Sequence, residues 1–186
     1  MKTLFINKKQ KYTGEQLGSL YAYLNHGLLG DSVVSWIGAC DITLEHMVDG
    51  EDLLEKAKIQ SDEMLHFIIE KFDAPLIFMA CLQRLFAEIV ISEISSQSKE
   101  GANLIRKGDD IYSDNKKLNI SIATCSPSSS LLHFGINIKN EGTPVPTCAL
   151  SDFGIEAQSF AKSVMDKVSL EVKALVRATQ KVKWVK

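Results

Sequence analysis

The sequence lacks long hydrophobic runs and concentrated positive charge. No stretch approaches the roughly 18 uncharged apolar residues of a membrane-spanning helix, and the apolar run within residues 1–10 is too short for a secretion signal. The formal net charge is −2 over 186 residues, and the densest basic stretch is the short tail at 181–186. The electrostatic footprint of a nucleic-acid-binding protein is therefore weak. We expect a cytoplasmic protein that spans no membrane and binds no nucleic acid.

Cysteine is scarce and dispersed. The four cysteines, Cys40, Cys81, Cys125 and Cys148, form no CxxC pair. This spacing favours free thiols over a disulfide framework or a zinc site. The length and the hydrophobic content of 45% suit one domain over residues 1–186 with a sizeable core.

Hydrophobic periodicity predicts an α+β fold. Residues 3–13 suggest an edge hairpin, residues 19–27 a short helix ended by Gly27, and residues 32–42 and 63–72 two strands. A long amphipathic helix begins at the N-cap Asp73, with Pro75 in its first turn. A short strand and a tight turn follow at 104–118, and a second long helix carries Phe160 on its apolar side. The order predicts a mixed, mainly antiparallel sheet with helices on one face.

The segment from 44 to 60 does not fit this pattern. It is charged and shows little sustained periodicity, which is typical of a mobile segment or one that covers a ligand. We predict that it forms a lid.

Two runs between residues 116 and 138 alternate small or polar side chains with large apolar ones. With the two-residue period of a strand, the apolar side chains around Leu118 and Phe134 would face the helices. The small and polar side chains would share the opposite face; these are Lys117, Asn119, Ser121, His133, Gly135 and Asn137. The pattern predicts a ligand face, although His133 and Asn137 in a polar layer can also satisfy each other or the backbone.

The stretch GDDIYSDNKKLNISIAT, followed by LLHFGINI, resembles the central signature of the biotin and lipoate protein ligases. Asp110 matches the acidic position of that signature, Lys117 its catalytic lysine and Asn137 its strand asparagine. The resemblance implies the fold of the class II aminoacyl-tRNA synthetases, and a ligase or acyl transferase that acts on carboxylates, with ATP and Mg²⁺ as cofactors.

In that chemistry the Lys117 ammonium would stabilise negative charge on a phosphate or acyl group. Asp110 would hold Mg²⁺ or an amine. Neutral hydrogen bonds would orient a small, anionic ligand; the residues that would supply them include Asn119, Ser121 and Asn137.

The whole chain resembles domain-of-unknown-function family 366, which supplies no activity. The resemblance includes GLLGDSVV at 27–34, with Gly30 and Asp31, and SDEMLHF at 61–67, with His66, and we include these three residues among the candidate ligand contacts.

One feature of the biotin ligases, an arginine-rich glycine loop, has no counterpart here. The chain has three arginines, Arg84, Arg106 and Arg177. A phosphate would have to be held by backbone amides near Gly27 and Gly30, or by side chains further along the chain; these are Lys56, Lys58 and Arg106.

Two alternatives remain open. The octanoyl transferases, which act through a thioester, carry a Lys strand, then a His-Gly-apolar-Asn strand, then a Pro-Cys-Gly loop; Lys117, the HFGIN stretch at 133–137 and Cys148 are similar in order. A nearby lysine would raise the thiolate fraction of Cys148. The second alternative is a binding module that keeps the pocket without turnover. An exposed edge strand also makes a homodimer reasonable.

Overall fold

The computed structural model describes residues 1–143 and 145–185 and is built on a five-stranded sheet. The strands of this sheet are β1 (Lys2–Ile6), β2 (Ser32–Asp41), β3 (Gln60–Phe72), β7 (Asn119–Cys125) and β8 (Ser129–Asn137). They lie in the order β1-β2-β3-β8-β7. The pair β1–β2 is parallel and the other neighbours are antiparallel.

A second, smaller sheet adjoins the edge strand β7. Its antiparallel strands are β4 (Ile105–Lys107), β5 (Asp110–Ser113) and β6 (Lys116–Lys117). The helices are α1 (Tyr21–His26), α2 (Gly50–Glu55), α3 (Leu76–Gln97) and α4 (Ala157–Gln180). Within the described part of the chain, no helix has the length and apolar character to cross a membrane.

The two long helices cover one face of the large sheet. The period of β3 sends Leu65, Phe67 and Ile69 into the core that this face shares with α3 and α4, where Phe86 and Phe160 are fully buried. The predicted layout, a mainly antiparallel sheet backed by helices, is confirmed.

The opposite face is covered by the chain before α1. Tyr12 donates its backbone N–H to Ala39 O at 2.8 Å, and Gln10 O accepts from Trp36 Nε1 at 3.0 Å. A Cβ at Gly38 would lie 1.8 Å from Gln10 O, so this close approach requires glycine. The result is a second buried cluster, which includes Tyr12 and Trp36.

Three predictions of local structure are wrong. Residues 3–13 do not form a hairpin, because β1 pairs in parallel with β2, and parallel neighbours require a longer connection. Asp73 is not an N-cap; it adopts a left-handed φ of 52°, and Pro75 takes the N-cap position of α3. The region 104–118 also has three short strands where a single strand and a turn were predicted.

The predicted face assignment holds for β8 and is wrong for β7. The register places Ser121 opposite Phe134, on the helix side, and Ile122 opposite His133. The reason is a change of sheet: the chain passes from β6 to β7 at Leu118, so the alternation counted from Lys117 does not continue into β7. Asn119 and Ser121 therefore do not share a strand face with His133.

Candidate ligand-binding cleft

A cleft of about 520 Å³ is lined by residues on the side of the large sheet that faces away from α3 and α4, and by Asp109, Asn119 and Ser121 at the edge strand β7. Its walls come from the segment 42–60, from the small sheet and from three residues before Cys148, which are Thr143, Val145 and Thr147. Its apolar lining includes Tyr12, Leu17, Met47, Met64, Ile120 and Ile122. Its charged lining consists of Asp49, Glu51, Asp52, Lys58, Asp109, Asp110 and Lys117.

Lys117 is held by its backbone and presents its ammonium to the cleft. Its N–H donates to Pro146 O at 3.1 Å, and its carbonyl accepts from the Cys148 N–H at 3.1 Å. The ammonium Nζ lies 2.8 Å from Asp110 Oδ1, and the side chain is 30% exposed. Since an ammonium has three N–H donors, one carboxylate does not saturate it. Lys117 can contact a further anion.

Asn137 and Asn119 hold the backbone around this pair. Asn137 Nδ2 donates to Lys117 O at 3.3 Å and to Cys148 O at 3.2 Å. Asn119 Oδ1 accepts from the Ile111 N–H at 2.7 Å, and its Nδ2 donates to the backbone carbonyl of Asp109 at 3.1 Å. Both asparagines line the cleft, but these hydrogen bonds make them positioning residues for Lys117 and Asp110.

Asp109, which was not among the candidate site residues, is fixed in the lining of the cleft. Its Oδ2 accepts from Ser121 Oγ at 2.7 Å and from Gln83 Nε2 at 2.8 Å. Gln83 also donates to Ser121 Oγ at 2.8 Å. Asp109 is therefore anchored by Gln83, a buried glutamine of α3. This contact joins distant parts of the chain, so no local sequence pattern predicts it.

Two histidines form a buried hydrogen-bonded pair beneath the cleft. His66 Nε2 lies 3.2 Å from Gly38 O, and His66 Nδ1 lies 3.1 Å from His133 Nε2. A carbonyl only accepts, so Nε2 of His66 carries the proton, Nδ1 accepts from His133, and Nδ1 of His133 remains an acceptor. Tyr12 stacks on His133 at 3.7 Å between ring centroids.

Burial keeps both histidines neutral. Desolvation lowers the pKa of His66 to about 4. Desolvation, and then the neighbouring His66, lower the pKa of His133 well below its usual value. His133 lines the cleft and His66 lies behind it, so His66 acts as a support for the His133 ring.

The cleft also contains residues that the sequence did not single out. Asp49 and Asp52 come from the start of α2 within the segment 42–60, and Ser61 follows that segment at the start of β3. Desolvation and then Asp49 raise the pKa of the Asp52 carboxyl, while Lys117 lowers it. The ammonium of Lys117 is thus within electrostatic reach of the segment predicted to be a lid.

Five predicted site residues do not line the cleft: Gly30, Asp31, His66, Arg106 and Cys148. Asp31 accepts from the Phe72 N–H at 2.9 Å, and Arg106 pairs with Glu88 at 2.6 Å. Cys148 is buried in the core on the helix side, where its Sγ donates to Lys116 O at 3.4 Å. Desolvation raises the pKa of its thiol to about 11.

Cations are sparse in the cleft. Among residues 1–143 and 145–185, Lys58 and Lys117 are the lysines and arginines that line it. Of the other predicted phosphate contacts, Gly27 and Lys56 lie outside the lining as well. The described residues contain no group of three or more His, Cys, Asp or Glu side chains arranged to hold a metal ion.

Solved structures with the same fold include proteins that bind small acids. The chain is 34% identical to a protein of unknown function from Pyrococcus horikoshi, with a TM-score of 0.93 over 100% of this chain and 99% of that one. It also resembles the biotin protein ligase from Aquifex aeolicus in complex with biotin and ATP, with a TM-score of 0.61, 11% identity and coverage of 92% and 70%. A T. acidophilum protein with bound lipoic acid gives a TM-score of 0.59, 13% identity and coverage of 92% and 85%. The biotin and lipoate ligase likeness establishes the fold.

The sequence comparisons identify the family. An uncharacterised protein of Methanocaldococcus jannaschii is 32% identical over 178 residues, which cover 92% of this chain and 76% of that protein. The model of one family matches residues 1–183. The chain therefore belongs to the family described as Domain of unknown function (DUF366).

Proposed function

We propose that the protein binds a small carboxylic acid in the cleft and that Lys117 contacts its carboxylate. The observation that carries this proposal is the Lys117 ammonium, which is 30% exposed and 2.8 Å from Asp110 at the wall of a cleft with apolar lining. A charge-assisted contact in a partly closed site contributes on the order of 1.5–3 kcal/mol.

The apolar lining supports a ligand with a hydrocarbon body. Met64 and Ile120 lie in the lining beside the stacked rings of Tyr12 and His133. A volume of about 520 Å³ is within the range of small-molecule sites. The Aquifex ligase holds biotin and the T. acidophilum protein holds lipoic acid; both ligands are carboxylic acids with an alkyl chain, which is the class proposed here.

A ligase that activates this acid with ATP and Mg²⁺ is the second candidate, and it is favoured by the fold. The side chains fit a triphosphate poorly, because two lysines face five carboxylates in the described lining and none of the three arginines belongs to it. The thioester alternative has less support, since Cys148 is buried outside the cleft with a raised pKa.

Calorimetric titration with octanoate and with 1-octanol tests the proposal, because the two probes share a chain length and differ in the carboxylate. We expect octanoate to bind about tenfold or more tightly than octanol, the effect of one charge-assisted contact. Equal affinities, or tighter binding of octanol, would show that the cleft does not recognise the acid group.

A further inference from the structure

We infer that the end of the cleft away from Lys117 binds a neutral group of the ligand that both donates and accepts a hydrogen bond, such as a hydroxyl, and that His133 and Tyr12 hold this group. The inference rests on the proposed function for the carboxylate contact with Lys117. It makes the ligand a hydroxy acid, with the hydroxyl and the carboxylate at opposite ends of an apolar chain.

His133 offers an acceptor with a fixed tautomer. His66 Nε2 donates to Gly38 O at 3.2 Å, so His66 Nδ1 accepts the proton of His133 Nε2 at 3.1 Å. Nδ1 of His133 therefore carries a lone pair, and no donor among the described residues bonds to it. Burial keeps the ring neutral by lowering its pKa, so this nitrogen accepts a hydrogen bond and does not donate one.

Tyr12 offers a donor beside this acceptor. Its ring stacks on that of His133, with 3.7 Å between the centroids and 13° between the planes. Burial raises the pKa of the Tyr12 hydroxyl, which therefore stays protonated. This hydroxyl also has no hydrogen-bond partner among the described residues. One stack of two rings thus presents an unpaired donor and an unpaired acceptor.

Both unpaired atoms reach the open volume of the cleft. Tyr12 and His133 are each 1% exposed, and both line the cleft. In the described part of the chain, the polar side-chain atoms that are enclosed and unpaired belong to other residues, which are His26, Ser32, Ser35 and Ser61. Buried polar groups are almost always paired, so a group inside the cleft is the partner that the Tyr12 hydroxyl and His133 Nδ1 lack.

The neighbouring lining is apolar and cannot pair with a polar ligand group. Ile122 lies opposite His133 in the register of β7 and β8, and Met64 and Ile120 also line the cleft. A ligand that excludes water from this end must supply both hydrogen bonds or leave two buried polar atoms unpaired. A hydroxyl supplies both, because it has one donor and two acceptor lone pairs.

The distance from Lys117 sets the length of the ligand. The Asn137 N–H donates to Leu118 O, so Lys117 lies level with residue 138, five positions beyond His133 (138 − 133 = 5). Five residues of a strand span about 16 Å, and a hydrogen bond of about 3 Å at each end leaves roughly 10 Å. Three bonds of an extended chain span about 3.5 Å. The gap therefore suits a carboxylate and a hydroxyl at the two ends of a chain of about eight carbons.

Calorimetric titration with 8-hydroxyoctanoate, nonanoate and 1-nonanol tests the inference. The two acids have the same number of non-hydrogen atoms and differ by a hydroxyl in place of the terminal methyl. We expect 8-hydroxyoctanoate to bind about tenfold or more tightly than nonanoate, because the methyl leaves the Tyr12 hydroxyl and His133 Nδ1 unpaired. Tyr12→Phe keeps the stacked ring and should reduce this preference about fivefold. Tyr23→Phe makes the same change at an exposed tyrosine outside the lining and should leave the preference intact.

The nitrogen resonance of His133 Nδ1 tests the acceptor directly. An unprotonated ring nitrogen shifts upfield when it accepts a hydrogen bond. In protein labelled with ¹⁵N, 8-hydroxyoctanoate should cause this shift and nonanoate should not.

The outcomes separate the two proposals. Nonanoate that binds as tightly as 8-hydroxyoctanoate, or more tightly, overturns the inference and leaves acid binding standing. Binding of 1-nonanol with no binding of either acid overturns acid binding, and with it the inference. A preference that is unchanged in Tyr12→Phe overturns the assignment to Tyr12, and an Nδ1 resonance that responds equally to both acids overturns the assignment to His133. The comparison of the two acids on the unaltered protein does not depend on a variant that folds.

Discussion

At the scale of single residues, burial decides the chemistry of the polar groups around the cleft. Lys117 is partly exposed and stays available to a ligand. Cys148 packs among apolar side chains, and burial raises its pKa to about 11, which makes it a poor nucleophile near neutral pH. Lys117 and Cys148 were both predicted as catalytic residues, and the difference in their burial leaves only Lys117 available to a ligand.

The His66–His133 pair makes stability depend on pH. Folding lowers the pKa of both histidines, that of His66 to about 4, whereas an unfolded histidine titrates near ~6.5. Between these values the unfolded chain binds more protons, so stability is fully present above ~6.5 and is lost as pH falls toward about 4. We expect the free energy of unfolding to fall by on the order of 1 kcal/mol per pH unit as His66 takes up its proton, and His133 acts in the same direction.

Urea unfolding at a series of pH values across that window measures this loss. His66→Gln should reduce the slope of the free energy of unfolding against pH. The unaltered protein is the reference, and a slope that is the same in both proteins would contradict the buried neutral pair.

Some site residues were predictable from the sequence and others were not. Lys117, Asp110, His133 and Asn137 stand in a local motif, and the structure brings all four to the cleft. Asp109 depends on Gln83, which lies 26 positions away along the chain, and such contacts leave no periodic signal. The same limit explains Asp31 and Arg106, whose partners on β3 and α3 give them structural contacts away from the cleft.

At the scale of elements, the segment 44–60 is a weakly anchored wall of the cleft, with Met47 as its buried side chain. Its short 3-10 helix at Leu44–His46 and α2 contain no buried residue, and Leu53 and Leu54 are exposed. Few buried contacts mean that the segment opens at low free-energy cost. Its side chains nevertheless line the cleft, which is the arrangement expected of a lid.

Hydrogen exchange with and without octanoate tests the lid. We expect bound octanoate to slow amide exchange in residues 44–60 more than in α3, because α3 is already held by the core and the lid gains contacts with the ligand. α3 is the internal control. Equal protection of the two segments at saturating octanoate would exclude closure over the ligand.

Element types were predicted better than their partners. The strands β2, β3 and β8 and the two long helices follow from hydrophobic periodicity. The parallel pairing of β1 and the change of sheet at Leu118 do not. Both depend on contacts between distant parts of the chain, and a single change of sheet reversed the inferred faces of β7.

At the scale of the whole molecule, the large sheet separates two functions. One face is closed by α3 and α4 over a continuous apolar core. The other carries a smaller cluster of aromatic and apolar side chains beside the open cleft. Stability thus rests mainly on the helix side, and changes in the cleft lining can alter binding with little effect on folding.

The fold class was predictable from the order of elements. The net negative charge of the cleft lining was not, because the lining assembles residues from separate segments of the chain.

The central claim is that Lys117 binds the carboxylate of a small acid, and titration of Lys117→Ala and Lys116→Ala with octanoate tests it most directly. Lys116 is exposed, does not line the cleft, and is adjacent in sequence, so it controls for a change of net charge. Both variants should fold with a free energy of unfolding within about 0.5 kcal/mol of the unaltered protein, as is usual at surface positions. Octanoate affinity should fall about tenfold or more in Lys117→Ala and stay unchanged in Lys116→Ala. Equal affinities in the two folded variants would contradict the claim.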